Sequence, residues 1–285
     1  MIDTHCHLDA GEFDADRDQV LARADAAGVR LIVVPAIERA NWSRVCALAG
    51  TADVAGASPT SPGAPPVVYA LGIHPLLVPR AQDADLEVLR ETVRRLHGAP
   101  RFVGIGEIGL DHFVPGLDRD RQLHFFVEQL RIAREFDLPV ILHVRKAVDT
   151  VARELRRLRP RGGIAHAFNG SAQQADAMIA LGMKLGFGGA CTFTRARNLR
   201  RLAASLPIEA LVLETDSPDI APEWRAPGRN EPGELPRIAG VVAALRGVDV
   251  SALADATTTN ACAALGIREA LAPRPSTRPH STMRQ

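Results

Sequence analysis

Cysteine is scarce and scattered. The four thiols, Cys6, Cys46, Cys191 and Cys262, form no CxxC pair, so neither a disulfide framework nor a thiolate zinc site finds support. An excess of one charge is missing as well. The 34 basic and 33 acidic residues leave a formal +1, which excludes a broadly basic nucleic-acid coat. No apolar run approaches the ~18 residues of a membrane span. The opening MIDTHCHLDA carries neither a basic nor a long apolar segment, so secretion is not signalled and a cytoplasmic location is expected. Aromatic residues make up 4% of the chain, too few for a long groove that stacks base after base.

What is present is the composition of an ordinary folded domain, 46% hydrophobic and 24% charged. Eight short, nearly continuous apolar strings recur: Met1 to Thr4, Leu31 to Val34, Val67 to Ile73, Phe102 to Ile105, Val140 to Leu142, Gly163 to Ala165, Met183 to Phe187 and Leu211 to Leu213. Such strings suit strands buried on both faces of a parallel sheet. Helical stretches separate them. From Asp120 to Phe136, residues Leu123, Phe126, Val127, Leu130, Ala133 and Phe136 form one apolar stripe. Eight strands alternating with helices predict a closed (β/α)8 TIM barrel, for which about 250 residues suffice. An open doubly wound sheet shares the alternation, but no GxGxxG string follows any strand. One barrel is expected over residues 1–271. The Pro/Gly/Ser-rich segment Ala55 to Pro66 reads as a surface loop, and residues 272–285 as a disordered polar tail.

The chemistry gathers where the strands stop. His5 and His7 lie two apart on an extended chain and so share a face. His74, Glu107, His143 and His166 follow the third, fourth, fifth and sixth strands, and Glu214 and Asp216 follow the eighth. A barrel brings all of these ends around one mouth, where active sites sit. Imidazoles and carboxylates converging there are expected to bind divalent metal. Glu107, flanked by Gly104, Gly106 and Gly109, is a carboxylate that burial would penalise without a cation, and its two oxygens can bridge two ions. Asp216 can bind metal and accept a proton from water. Glu214 reads either as support for a ligand or as a charge inside the barrel. Arg145, Arg229 and Asn230 are candidates for substrate contact, the arginines because their fork suits phosphate. Trp224, Phe113 and Phe168 could each stack a base or pin a loop. Asp9 and Asp111 read as turn caps.

These strand ends resemble the TatD family of metal-dependent deoxyribonucleases. The matching strings, in the family order, are DTHCHLD from Asp3, GIHP from Gly72, GEIGLD from Gly106, LPVILHVRKAVD from Leu138 and HAFNGS from His166. LGFGG from Leu185, LETDSP from Leu213, RNEP from Arg229 and TTTN from Thr257 follow. Together they run from residue 1 to about 267. The resemblance implies a (β/α)8 barrel with two divalent ions, magnesium or manganese for activity, with zinc as an alternative. His5, His7, Glu107 and Asp216 would hold one ion, and Glu107, His143 and His166 the other. His74 would touch the scissile phosphate. The implied activity is hydrolysis of DNA phosphodiesters, as a 3′–5′ exodeoxyribonuclease on single-stranded ends. Leu76, His112, Val144, Ala167 and Asn169 depart from the usual strings and bear on substrate preference.

In that reaction the metal pair would activate the attacking water, Asp216 would take its proton, and His74 would donate to a phosphate oxygen or the leaving group. Two other readings share the barrel. One is an amidohydrolase-like enzyme cleaving a C–N or lactone bond, which would often bridge its metals with a carboxylated lysine where this chain has Glu107. The other is a non-catalytic metal-binding scaffold. DNA ends or short single strands are the expected partner, with no membrane contact and no obligate protein partner.

Overall fold

The computed structural model describes residues 1–50 and 64–267. Most of the Ala55 to Pro66 segment and the whole 272–285 tail lie outside the described residues. Eight strands pair in parallel and in chain order. They are β1 (Ile2–Asp3), β2 (Leu31–Pro35), β3 (Val67–Leu71), β4 (Phe102–Asp111), β5 (Val140–Arg145), β6 (Gly163–Ala165), β7 (Met183–Phe187) and β8 (Leu211–Leu213). The helices between them are α1 (Arg17–Ala27), α2 (Trp42–Leu48), α3 (Ala84–Leu96), α4 (Arg119–Glu135), α5 (Val148–Leu158), α6 (Ala172–Ala180) and α7 (Arg197–Ser205). Two more, α8 (Leu235–Arg246) and α9 (Val250–Leu265), follow β8. No helix among the described residues is long and apolar enough to cross a membrane.

The barrel closes between its first and last strands. The amide and hydroxyl of Thr4 both donate to the Leu213 carbonyl, at 3.1 and 3.0 Å. Beyond the strands, the amides of Asp216 and His7 donate to the carbonyls of His5 and Ser217, at 2.8 and 2.7 Å. The architecture is thus the (β/α)8 barrel that the alternation predicts.

Alternation along each strand separates two apolar layers. Leu31, Val33, Val68, Ala70, Ile141, Ile164 and Val212 form one cluster, and their immediate neighbours pack in another against the helices. Ala261 and Leu265 of α9 join the first, inner cluster, so the ninth helix floors the barrel. Asn260 fixes it there, its amide donating to the carbonyls of Ile208 and Leu211 at 2.7 and 2.8 Å. Continuing the inner parity upward places His143 and Arg145 after Ile141, His166 after Ile164, and Glu214 and Asp216 after Val212 on the mouth side.

One expectation needs correction. The fourth strand does not stop at Ile105 but runs to Asp111. Its pairing with β5 shifts between Ile105 and Ile108, an extra residue that bends the strand and re-aims Glu107. Only glycine permits the approach that follows: Gly109 has φ +148°, and a Cβ there would overlap the His143 carbonyl. The buried face of α4 contains the predicted stripe, with Leu123, Val127 and Phe136 packed against the core, and is wider than it. Phe125, Phe126, Leu130, Ile132 and Ala133 are buried, and so are Gln122 and Gln129. The glutamines are buried because they satisfy backbone at strand ends. Gln129 accepts from Ile73 N at 2.7 Å and donates back to its carbonyl at 3.1 Å. Gln122 accepts from Asp111 N at 3.0 Å.

Candidate metal centre

Glu107 stands at the middle of the mouth, fully buried, with its two oxygens turned to two sets of side chains. Oε2 lies 3.2 Å from His5 Nε2 and 3.5 Å from His7 Nε2. Asp216 Oδ1 approaches the same two nitrogens at 3.6 and 3.7 Å. On the other side, Oε1 lies 2.9 Å from His166 Nε2, 3.2 Å from His143 Nδ1 and 3.3 Å from His74 Nε2. Residues from six strand ends therefore meet around one carboxylate. Three sets of donor atoms lie within 4.8 Å of one another: His5, His7 and Asp216; His5, Glu107 and His166; His74, Glu107 and His143.

The donor chemistry fits divalent cations. Burial opposes charge on Glu107, yet the imidazoles of His74, His166 and His5 hold its carboxyl well below the usual range. Burial likewise opposes protonation of His166 and His7. Their contacts with Glu107 outweigh it and push them up to about 10 and about 9. His5, buried against the charge of His166, is held well below its ordinary value. Burial raises Asp216. In the polypeptide by itself, protons on histidine supply the positive charge that buried carboxylates demand. Cations can take over that role once the rings are neutral, which is the ligand form. His5 and His7 could hold one ion with Glu107 Oε2 and Asp216. His143 and His166 could hold another with Glu107 Oε1.

His74 differs from the other four rings. Its Nδ1 accepts the Leu76 amide at 3.1 Å, and burial keeps the ring neutral by lowering its pKa. The proton of such a ring sits on Nε2, the atom facing Glu107. A protonated nitrogen has no lone pair for a metal, so this geometry makes His74 a donor into the site.

Further carboxylates stand behind the other candidate ligands. Asp111 Oδ2 meets His143 Nε2 at 3.1 Å, while Oδ1 accepts the amides of Phe113 and Val114 at 2.8 and 3.0 Å. It caps a turn, as its sequence position suggests, and also orients an imidazole. Asp3 joins the seam, accepting from Thr215 N at 2.9 Å and Thr215 Oγ1 at 2.6 Å, and from His5 N at 3.3 Å. Glu214 accepts the Ala167 amide and lies 3.9 Å from His166 Nδ1. A Cβ at Gly186 would overlap its carboxylate, so the interior is shaped around it, and burial pushes it up to about 8. Asp3, Gln122 and Gln129 drew no attention in the sequence. A short polar side chain two residues before an HxH pair was the available sign for Asp3.

The loop after β8 is built from its own contacts. Arg229 donates to both oxygens of Asp16, at 2.8 and 2.7 Å. Asn230 is buried, its amide donating to Thr215 and Asp219 carbonyls at 2.8 and 3.0 Å while its oxygen accepts Glu231 N at 2.9 Å. Glu231 pairs with Arg23 at 2.7 Å. Trp224 donates to Glu234 at 2.7 Å and lies under Arg237. Phe168 is buried in the core. Arg145 is half exposed beside Asp111, 3.9 Å away.

A parallel barrel whose mouth gathers five histidines and two carboxylates in this way is the arrangement of a metal-dependent hydrolase. A family model described as TatD related DNase matches residues 2–266. The chain is 39% identical over 261 residues to the metal-dependent hydrolase YjjV of Escherichia coli K12, covering 91% of this chain and 95% of that protein. It is 36% identical over 271 residues to the 3′-5′ ssDNA/RNA exonuclease TatD of Cronobacter sakazakii, covering 92% and 96%. The crystal structure of YjjV superposes with a TM-score of 0.86 at 38% identity, covering 94% of this chain and 98% of that one. The chain belongs to the TatD family of metal-dependent hydrolases.

Proposed function

We propose that this protein is a two-metal phosphodiesterase that removes nucleotides from single-stranded DNA ends in the 3′ to 5′ direction. The observation that carries the reading is Glu107, one carboxylate whose oxygens face two separate sets of ligands. That is the layout for a pair of ions about 4 Å apart. The activity printed for the Cronobacter relative supports the substrate class. Magnesium or manganese would serve activity, and the histidine-rich donor set also accepts zinc.

His5, His7, Glu107 and Asp216 would hold one ion, and Glu107, His143 and His166 the other. Such ions would neutralise charge on the phosphoryl oxygens and make a water nucleophilic near neutral pH. Asp216, raised by burial, accepts the proton of the attacking water. His74, neutral with Nε2–H directed inward, donates to a phosphoryl oxygen or to the leaving alkoxide. Asp111 holds His143 in one orientation throughout. Arg229 and Asn230 keep the β8 loop, and hence Asp216, in place.

The test is digestion of single-stranded DNA labelled at the 3′ or the 5′ end, with magnesium, manganese and zinc in turn. Early release of the 3′-terminal nucleotide is expected. Intact DNA with every metal, alongside hydrolysis of an amide or lactone panel, would overturn the reading.

A further inference from the structure

We infer that Phe113 and Arg145 together form a platform that takes one unpaired nucleobase at the edge of the metal centre. The inference rests on the phosphodiesterase reading and names what that site recognises besides phosphate.

Phe113 is 54% exposed, the most exposed large hydrophobic side chain among the described residues. A lone exposed ring is common on protein surfaces; what sets this one apart is its fixed place beside a candidate metal ligand. Its backbone is firmly held. Its own amide and that of Val114 donate to Asp111 Oδ1, at 2.8 and 3.0 Å. The preceding His112 amide donates to the Arg145 carbonyl at 2.8 Å. Arg145 places its guanidinium carbon 3.8 Å from the ring centroid, a close stack of cation on π face. The same Asp111 that faces Arg145 at 3.9 Å orients His143 at 3.1 Å. One buried carboxylate therefore sets the aromatic ring, the cation and a candidate metal ligand relative to one another.

The surroundings narrow the ligand. Each of Trp224 and Phe113 has an arginine over one ring face, but Trp224 is only partly exposed with its indole N–H bonded to Glu234, and Phe168 is buried. Phe113 is the open one of the three. A planar, uncharged, polarisable group stacks on such a surface whatever its hydrogen-bonding edge, which is how bases are held without sequence preference. A base inside a duplex keeps both faces covered by its neighbours, and one at a duplex end stays tied to its complementary strand, which must also be accommodated beside the ring. The platform therefore selects unpaired ends, and one stack is consistent with a chain so poor in aromatics.

The test compares a hexathymidylate with the same oligomer lacking its last base, in the wild type, Phe113→Ala and Phe113→Trp. Turnover is read as kcat/KM, and binding by fluorescence anisotropy in calcium. Wild type should prefer the intact end about tenfold, the size of one base–aromatic stack. Phe113→Ala should lose that preference, and Phe113→Trp should keep it. Damage to the fold alone would lower both oligomers equally and leave the ratio unchanged, and an unchanged ratio overturns the platform. The two readings fail separately. DNA bound in a Phe113-dependent manner but never cleaved would sink the nuclease while sparing the platform. Cleavage indifferent to Phe113 would do the reverse, and an oligomer that is not bound at all also overturns the platform.

Discussion

Asp111 and His143 face each other across the ends of β4 and β5, carboxylate oxygen to Nε2 at 3.1 Å, leaving Nδ1 to point at Glu107. Contacts of this kind fix the ring and its tautomer and raise the basicity of the ligating nitrogen. Asp111→Asn should weaken binding of an ion held by His143 by about 10- to 100-fold. Isothermal titration with manganese checks it, and two unchanged affinities would refute it.

Glu107→Gln replaces one facing oxygen with an amide NH2 and removes the central charge. Several kcal/mol of stabilisation should disappear, a fall in turnover of about 10³-fold or more. Metal content by mass spectrometry should drop in parallel. Retention of both rate and metal would show that the bridge is misassigned.

Arg229→Ala releases the loop that follows β8. Contact with Arg229 holds the Asp16 carboxyl below its ordinary value. A carboxyl depressed in the folded state stabilises above its unfolded pKa of about 3.9, and that contribution fades as pH falls through the folded value. The variant should therefore melt below wild type at pH 7, with the gap closing under acid conditions. Melting curves from pH 7 to pH 3 check this, and a constant gap would remove Asp16 from the explanation.

Asn260→Ala strips one buried and one partly buried carbonyl, those of Leu211 and Ile208, of their donor and loosens the floor helix. A loss of about 2 kcal/mol is expected, visible as a melting point lower by several degrees. Turnover per folded molecule should hardly change, because Asn260 sits at the opposite end from Glu107. A collapse in kcat without a change in melting would contradict this.

Much of the architecture was legible because each strand is a short apolar string that needs no partner to be recognised. The end of β4 was not, since Gly106 to Gly109 lack apolar alternation and the bulge appears only in the pairing with β5. Gln122 and Gln129 went unread for a related reason: polar by type, they are buried by virtue of backbone groups on another element. The histidines and carboxylates at the mouth could be named from strand position alone, and the structure brings all six expected ligands together. Supporting groups were harder. Asp111 looks like a turn cap in one dimension, and its contact with His143 bridges 32 residues. Arg229 sits in a loop rich in phosphate-binding residue types, and only coordinates show its fork closed on Asp16.

The hydrogen bonds of Asp3 to Thr215 join positions 212 apart, beside the bond from Asp216 N to the His5 carbonyl. A growing polypeptide can thus assemble seven-eighths of its wall without possessing Asp216. An ion site that includes Asp216 is therefore complete only when the final strand docks against the first, so a partly made or partly unfolded molecule lacks it.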